Sequence, residues 1–160
     1  MAPDAPTPVE TTLGDARSLP WADGSVQCVV TSPPYWGQRD YGHPDQIGME
    51  PTYVDYLANM SKVAAEVSRV LADDGVFWLN VGDTFNTRTV IRPSSHQAGL
   101  GHDTESTRLT WREARDLGLV RYSARQPELK DKDLMGLPWR LANMLVAAGW
   151  YLRADVIWSK

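Results

Sequence analysis

The chain reads as an α/β domain, and three observations carry that expectation. Two segments, VQCVVTS (26–32) and VFWLNV (76–81), are nearly continuous apolar runs, which suits strands of a parallel sheet buried on both faces. Between them Val54, Leu57, Met60, Ala64, Val67 and Leu71 recur at steps of three or four, the stripe of an amphipathic helix. Turn residues punctuate the runs: Pro33-Pro34 after the first and Gly82-Asp83 after the second. Residues 26–81 therefore have the order and size of a right-handed strand–helix–strand crossover.

The other elements follow in chain order. Residues 1–9 carry Pro3, Pro6 and Pro8 and read as a disordered tail, leaving 10–160 as the domain. VETTLGD is a short strand ending at Gly14-Asp15, and Ala22-Asp23-Gly24 is a turn. Residues 37–50 form a polar, glycine-rich loop. Thr52 opens the helix, with Asp55 completing a capping-box pattern, and Asp73-Asp74-Gly75 closes it. The stretch 84–130 has no sustained apolar period and reads as a long mobile loop, with room for a short helix near 107–117. A final helix carries Pro138 in its first turn and Leu137, Leu141, Leu145 and Ala148 on one face, and stops at Gly149. WYLRADVIWSK then alternates as a strand does.

Composition narrows the class. At 160 residues with 42% hydrophobic and 22% charged, the chain fits one domain with a core. No apolar run approaches the roughly 20 residues of a membrane span, and the first residues do not resemble a signal peptide. The single Cys28 excludes an internal disulfide framework, reads as a small buried hydrophobe, and makes a cytoplasmic setting the default. His43, His96 and His102 lack metal-ligand spacing and read as surface histidines, so no metal is expected. Net charge is −4, yet 84–130 holds eight basic residues, seven of them Arg, against five acidic ones. Arg grips phosphate bidentately, so Arg108, Arg112 and Arg115 are candidate phosphate contacts; a solvated surface segment is the plainer alternative.

The sharpest local signal is Thr31-Ser32-Pro33-Pro34-Tyr35-Trp36, at the carboxyl end of the first apolar strand. That edge is where open α/β sheets bind ligands. Two prolines stiffen the turn and remove N–H donors, while their carbonyls still accept. Ser32 adds a hydroxyl, and Tyr35 and Trp36 add flat faces. An acceptor-rich corner beside an aromatic platform suits a planar group bearing an exocyclic amine. A rigid turn with both aromatics packed into the core is the competing view.

TSPPYW resembles the catalytic motif of the amino-group DNA methyltransferases. VVTSPPYWGQRDYGHPDQIGMEPTYVDYL, VLADDGVFWLNVGDTF and KDLMGLPWRLANMLVAAGWYLRADVIWSK resemble that family too, in order and spacing, most closely its phage and restriction-modification members. The resemblance implies a Rossmann-like sheet with flanking helices. It implies transfer of a methyl group from S-adenosylmethionine to cytosine N4 or adenine N6 of a base flipped out of DNA. Ser32, Pro33, Pro34 and Tyr35 become the catalytic corner; Tyr35 and Trp36 stack on the base, and Asn80 and Asp83 line the pocket. Asp15 meets the adenosine part of the cofactor, with a turn-forming Asp as the alternative. Asp155 and Lys160 take structural roles. Ser rather than Asp at position 32 favours cytosine N4, with adenine N6 as the alternative.

The family's glycine-rich cofactor loop, Phe-x-Gly-x-Gly-like, does not occur in these 160 residues. The resemblance then implies a catalytic half with an incomplete sheet. Its partners would be DNA and a complementary polypeptide, or further copies of itself. A non-catalytic DNA- or partner-binding fragment is the rival reading.

Overall fold

The computed structural model describes residues 9–87, 90–93, 121–122 and 125–158. Strand β1 (Val26–Thr31) runs parallel to β3 (Leu71–Leu79), and helix α1 (Tyr53–Val70) connects them. β2 (Arg39–Asp40) pairs in parallel with β4 (Val90–Pro93), which pairs antiparallel with β5 (Arg121–Tyr122). Helix α2 (Leu137–Ala147) packs on α1. The fold is thus mixed α/β, with one two-stranded and one three-stranded sheet among the described residues.

Helix α1 starts where its sequence directs. Thr52 Oγ1 accepts the Asp55 backbone N–H at 3.1 Å and donates to the Asp55 carboxylate at 2.7 Å. Its buried stripe differs in the first turn: Tyr53 and Tyr56 face the core, and Val54 is 55% exposed. Two aromatic bodies remove more apolar area from water than one Val. The helix ends at Val70, three residues before the expected stop. Asp73-Asp74-Gly75 instead forms an irregularity inside β3, because Val26 pairs with Leu71 but Cys28 already pairs with Val76. A Cβ on Gly75 would lie 2.9 Å from the Ala72 carbonyl oxygen, so the backbone closes there only around glycine.

Two hydrophobic clusters fill the space beside the helices. One joins Trp36, Tyr53, Tyr56 and Met60 to Met135, Leu137 and Leu141, tying α1 to α2. The other joins Val63, Val67 and Leu71 to Val26, Val29, Phe77 and Trp150. The Trp150 and Phe77 rings lie 5.4 Å apart and anchor the chain after α2.

Two expectations are corrected. The segments 9–15 and 150–158 form no strand, and apart from Trp150 their apolar side chains, Leu13 and Trp158 among them, are exposed. An isolated strand has no ladder to satisfy its backbone, and no neighbour for either segment lies among the described residues. Cys28 is exposed rather than buried, since β1 is covered on one face only. In 84–130 the two flanks pair as β4 and β5; the expected helix at 107–117 lies outside the described residues.

Residues 19–24 are held to α1 by one guanidinium. Arg69 donates to the carbonyls of Leu19 and Trp21 and to the carboxylates of Asp23 and Glu66. Hydrogen bonds from Arg69 and from the Leu19 N–H hold the Glu66 carboxyl down at about 2, from an ordinary 4.5. A depressed carboxylate stabilises the fold fully above its unfolded value, and this contribution is lost as pH falls through the folded one. Glu66→Gln is therefore expected to flatten the stability profile between pH 4.5 and 2 and to leave its shape at higher pH unchanged. Urea unfolding across that range checks it; parallel profiles for the two proteins would contradict it.

Candidate active site

Thr31 and Leu79 are the last paired residues of β1 and β3, and the Asn80 N–H donates to the Thr31 carbonyl at 2.9 Å. The two strands therefore deliver Ser32-Pro33-Pro34-Tyr35 and Asn80-Val81-Gly82-Asp83 to one edge. Ser32 is exposed, and its Oγ lies 3.2 Å from the Tyr35 hydroxyl. Among the described residues, no backbone N–H donates to the Pro33 carbonyl. The corner thus presents a hydroxyl and an open carbonyl side by side.

Gly82 sets where the Tyr35 ring lies. A Cβ at Gly82 would sit 2.6 and 2.7 Å from two ring carbons of Tyr35. Only a residue without a side chain admits the ring this close. Behind the turn, Gly48 at φ +98 fits against Pro34 and the Tyr35 carbonyl, where a Cβ would stand 3.1 Å from each. Gly82→Ala is expected to displace the Tyr35 ring by about 1 Å, a misplacement large enough to disturb a positioned group. A crystal structure of the variant checks this, and a ring left in place would show that Gly82 does not set its position.

Glu50 braces the turn, a role no local motif announced. Its carbonyl accepts the Trp36 indole N–H at 3.0 Å. Its carboxylate accepts the Gly48 N–H and the Asn59 side-chain amide, each at 2.9 Å. Asn59 lies on α1, so the helix holds the loop that holds the prolines. The nearby Tyr56 hydroxyl is buried without a hydrogen-bond partner among the described residues, and burial pushes its phenol well above the ordinary range.

The remaining expected site residues divide. Tyr35 is half-buried and keeps its place beside Ser32. Trp36 is 2% exposed and belongs to the core, so the expected second stacking face is corrected: the indole is turned inward and held by Glu50. Asn80 is exposed at the same edge as Ser32. Asp83 is a brace rather than a free pocket wall. Its carboxylate accepts the N–H groups of Thr84, Gly136 and Leu137 at 2.8, 2.9 and 3.1 Å. Gly136 is the N-cap of α2 and offers no side chain, so Asp83 caps that helix from 53 residues away in sequence. Asp15 has both oxygens engaged by Arg17, which holds its carboxyl below the usual range. The two side chains form an exposed ion pair at 2.8 Å. Arg108, Arg112 and Arg115 lie outside the described residues.

Asn86 is a second residue that sequence reasoning missed. It is 2% exposed; its amide donates to the carbonyls of Gln126, Leu129 and Lys130, and its oxygen accepts the Gln126 N–H. It joins the chain before β4 to the chain after β5, three residues beyond Asp83.

Residues 26–160 match the model of a DNA methylase family, of the N6/N4 type. The chain belongs to that family. The match begins with β1 and takes in the whole Ser32–Asp83 corner. Curated relatives agree. The chain is 46% identical over 153 residues to the Type II methyltransferase M.XycI of Xanthomonas campestris pv. cyanopsidis. It is 43% identical to M.SmaI of Serratia marcescens and 41% to M.Cfr9I of Citrobacter freundii. Each alignment covers 92% of this chain but only 45–46% of the relative, so the chain spans about half the length of these relatives. No solved structure matches it. No helix among the described residues is long and apolar enough to cross a membrane.

Proposed function

We propose that this chain is the catalytic half of a site-specific DNA amino-methyltransferase, its β1–β3 pair being part of a Rossmann-like sheet that a complementary polypeptide completes. The observation that carries this reading is the exposed Ser32 Oγ, 3.2 Å from Tyr35, beside the open Pro33 carbonyl, in a chain of the DNA methylase family.

The corner's chemistry follows from its acceptors. An exocyclic amine is a poor nucleophile because its lone pair is delocalised into the ring. Ser32 Oγ and the Pro33 carbonyl each accept one of its N–H bonds, which favours the pyramidal nitrogen that attacks. The gain arises mainly in the transition state, so it is electrostatic rather than general-base catalysis. When Ser32 donates its own proton to the Tyr35 hydroxyl, both its lone pairs are left free to accept. The Tyr35 ring stacks on the flipped base, an interaction worth about 1–3 kcal/mol on comparable single-strand platforms. Ser at position 32 favours cytosine N4 over adenine N6. DNA is the substrate in this reading, with Arg108, Arg112 and Arg115 contacting phosphates.

S-adenosylmethionine supplies the activated methyl group in this family reading. The residues described here do not by themselves fit it: Asp15, the candidate for its adenosine end, is held by Arg17 through both oxygens. The donor site therefore needs the complementary polypeptide. Calorimetric titration of the 160-residue chain with S-adenosylmethionine is expected to show no low-micromolar binding, and the same titration with the complement present is expected to show it. Low-micromolar binding by the monomer alone would overturn the half-enzyme reading.

A further inference from the structure

The chain from 37 to 52, which includes β2, lies on the edge that presents Ser32. In a parallel crossover the helix starts where the first strand ends and returns to where the second begins, so the segment between β1 and α1 stays at that edge. Two bonds tie it there. The Gly37 N–H donates to the Gly48 carbonyl at 2.7 Å, and the Gln38 side-chain amide donates to the Asp83 carbonyl at 3.1 Å.

Residues 39–46 are then fixed by bonds among themselves. The Gln46 side chain accepts the Tyr41 N–H at 2.7 Å and donates to the Arg39 carbonyl at 3.1 Å. The Asp40 carboxylate accepts the Gly42 N–H at 2.8 Å, and Gly42 takes φ +79, where a side chain would be strained. This frame displays a cation on an aromatic ring. The Arg39 guanidinium lies 5.9 Å from the centroid of the Tyr41 ring, and both residues are exposed. Among the described residues Arg39 has no carboxylate partner, whereas Arg17, Arg69 and Arg125 each have one. A guanidinium laid on a ring keeps its in-plane N–H groups free, and those grip a phosphate bidentately.

A base seated at Ser32 and Tyr35 stays joined to its backbone, so the phosphates beside it lie at this same edge. We propose that Arg39, held by Tyr41 and the Gln46 staple, grips a DNA phosphate next to the flipped nucleotide. This rests on the amino-methyltransferase reading and adds to it the side chain that fixes the strand. Holding the Arg in place before binding lowers the entropy lost on contact.

The test is the binding of the 160-residue chain to a short fluorescent DNA duplex as sodium chloride rises from about 50 to 200 mM. Arg39→Ala is expected to weaken binding to all sequences alike and to reduce the slope of log affinity against log salt by about one. Arg39→Lys is expected to restore the slope, since it restores the charge. Tyr41→Leu is expected to keep the slope and weaken binding about 2- to 5-fold, the worth of an exposed cation–π contact. Arg17→Ala, whose guanidinium is already taken by Asp15, is expected to leave the slope unchanged. An unchanged slope in Arg39→Ala, or an equal fall in Arg17→Ala, would overturn the phosphate grip and leave the methyltransferase reading standing. A native chain that fails to bind duplex DNA at the lowest salt would overturn both.

Discussion

Ser32→Ala is expected to lower the single-turnover rate of methyl transfer by about 100- to 1,000-fold in the assembled enzyme, the range seen when one preorganised transition-state partner is removed. DNA affinity is expected to change little, because Ser32 is a small exposed hydroxyl and the Tyr35 stack persists. The split is diagnostic. An interaction made mainly in the transition state lowers the rate and spares binding. Tyr35→Ala should do the opposite in part, weakening base capture as well as rate. Quench-flow with labelled methyl donor, set beside equilibrium DNA binding, separates the two. Full activity in Ser32→Ala would mean that the corner performs other chemistry.

Asn86→Ala is expected to destabilise the fold by about 2–4 kcal/mol. It strips four hydrogen bonds from a buried position and leaves the Gln126 N–H and three carbonyls without their partner. For a chain of this length that corresponds to a fall of roughly 10 °C in the thermal midpoint. Amide exchange should rise most in residues 125–135, because Asn86 also exchanges backbone bonds with Lys132 and Asp133. A loss under about 0.5 kcal/mol would show that the flanks of the excursion hold together without the clamp.

Much of this architecture is written in local pattern. Helix α1 is visible in its period and in Thr52 with Asp55, and α2 in Pro138 and Gly149. β1 and β3 show as apolar runs, and the prolines mark where the first of them ends. These features depend on neighbours within a turn or two. The misreadings share a different origin. Cys28 and Val30 look like core because they lie in an apolar strand, but apolarity states a preference for burial and not the presence of a covering layer. Residues 9–15 are β-like and 150–158 alternate as a strand does, yet a strand forms only beside another. Trp36 looked like a platform because it follows Tyr35; the turn points the two rings to different sides, and Glu50 fixes the outcome.

The braces were the least legible. Asp83 sits in a turn where a carboxylate commonly caps its own neighbours, and only the fold reveals that its partners are at the start of α2. Asn86 clamps residues 40 and more positions away. Neither spacing leaves a mark in sequence, because both depend on where the excursion between β4 and β5 returns. Both residues lie just beyond β3, so the edge that presents Ser32 is held by contacts distant in the chain.

The most direct test of the account is the identity of the modified nucleoside. The chain and the complementary polypeptide are combined with S-adenosylmethionine carrying a labelled methyl group and with duplex DNA, which is then digested and its nucleosides resolved by mass. The account predicts N4-methylcytosine that requires both polypeptides and disappears in Ser32→Ala. Label at cytosine C5, or label that persists in Ser32→Ala, would contradict it.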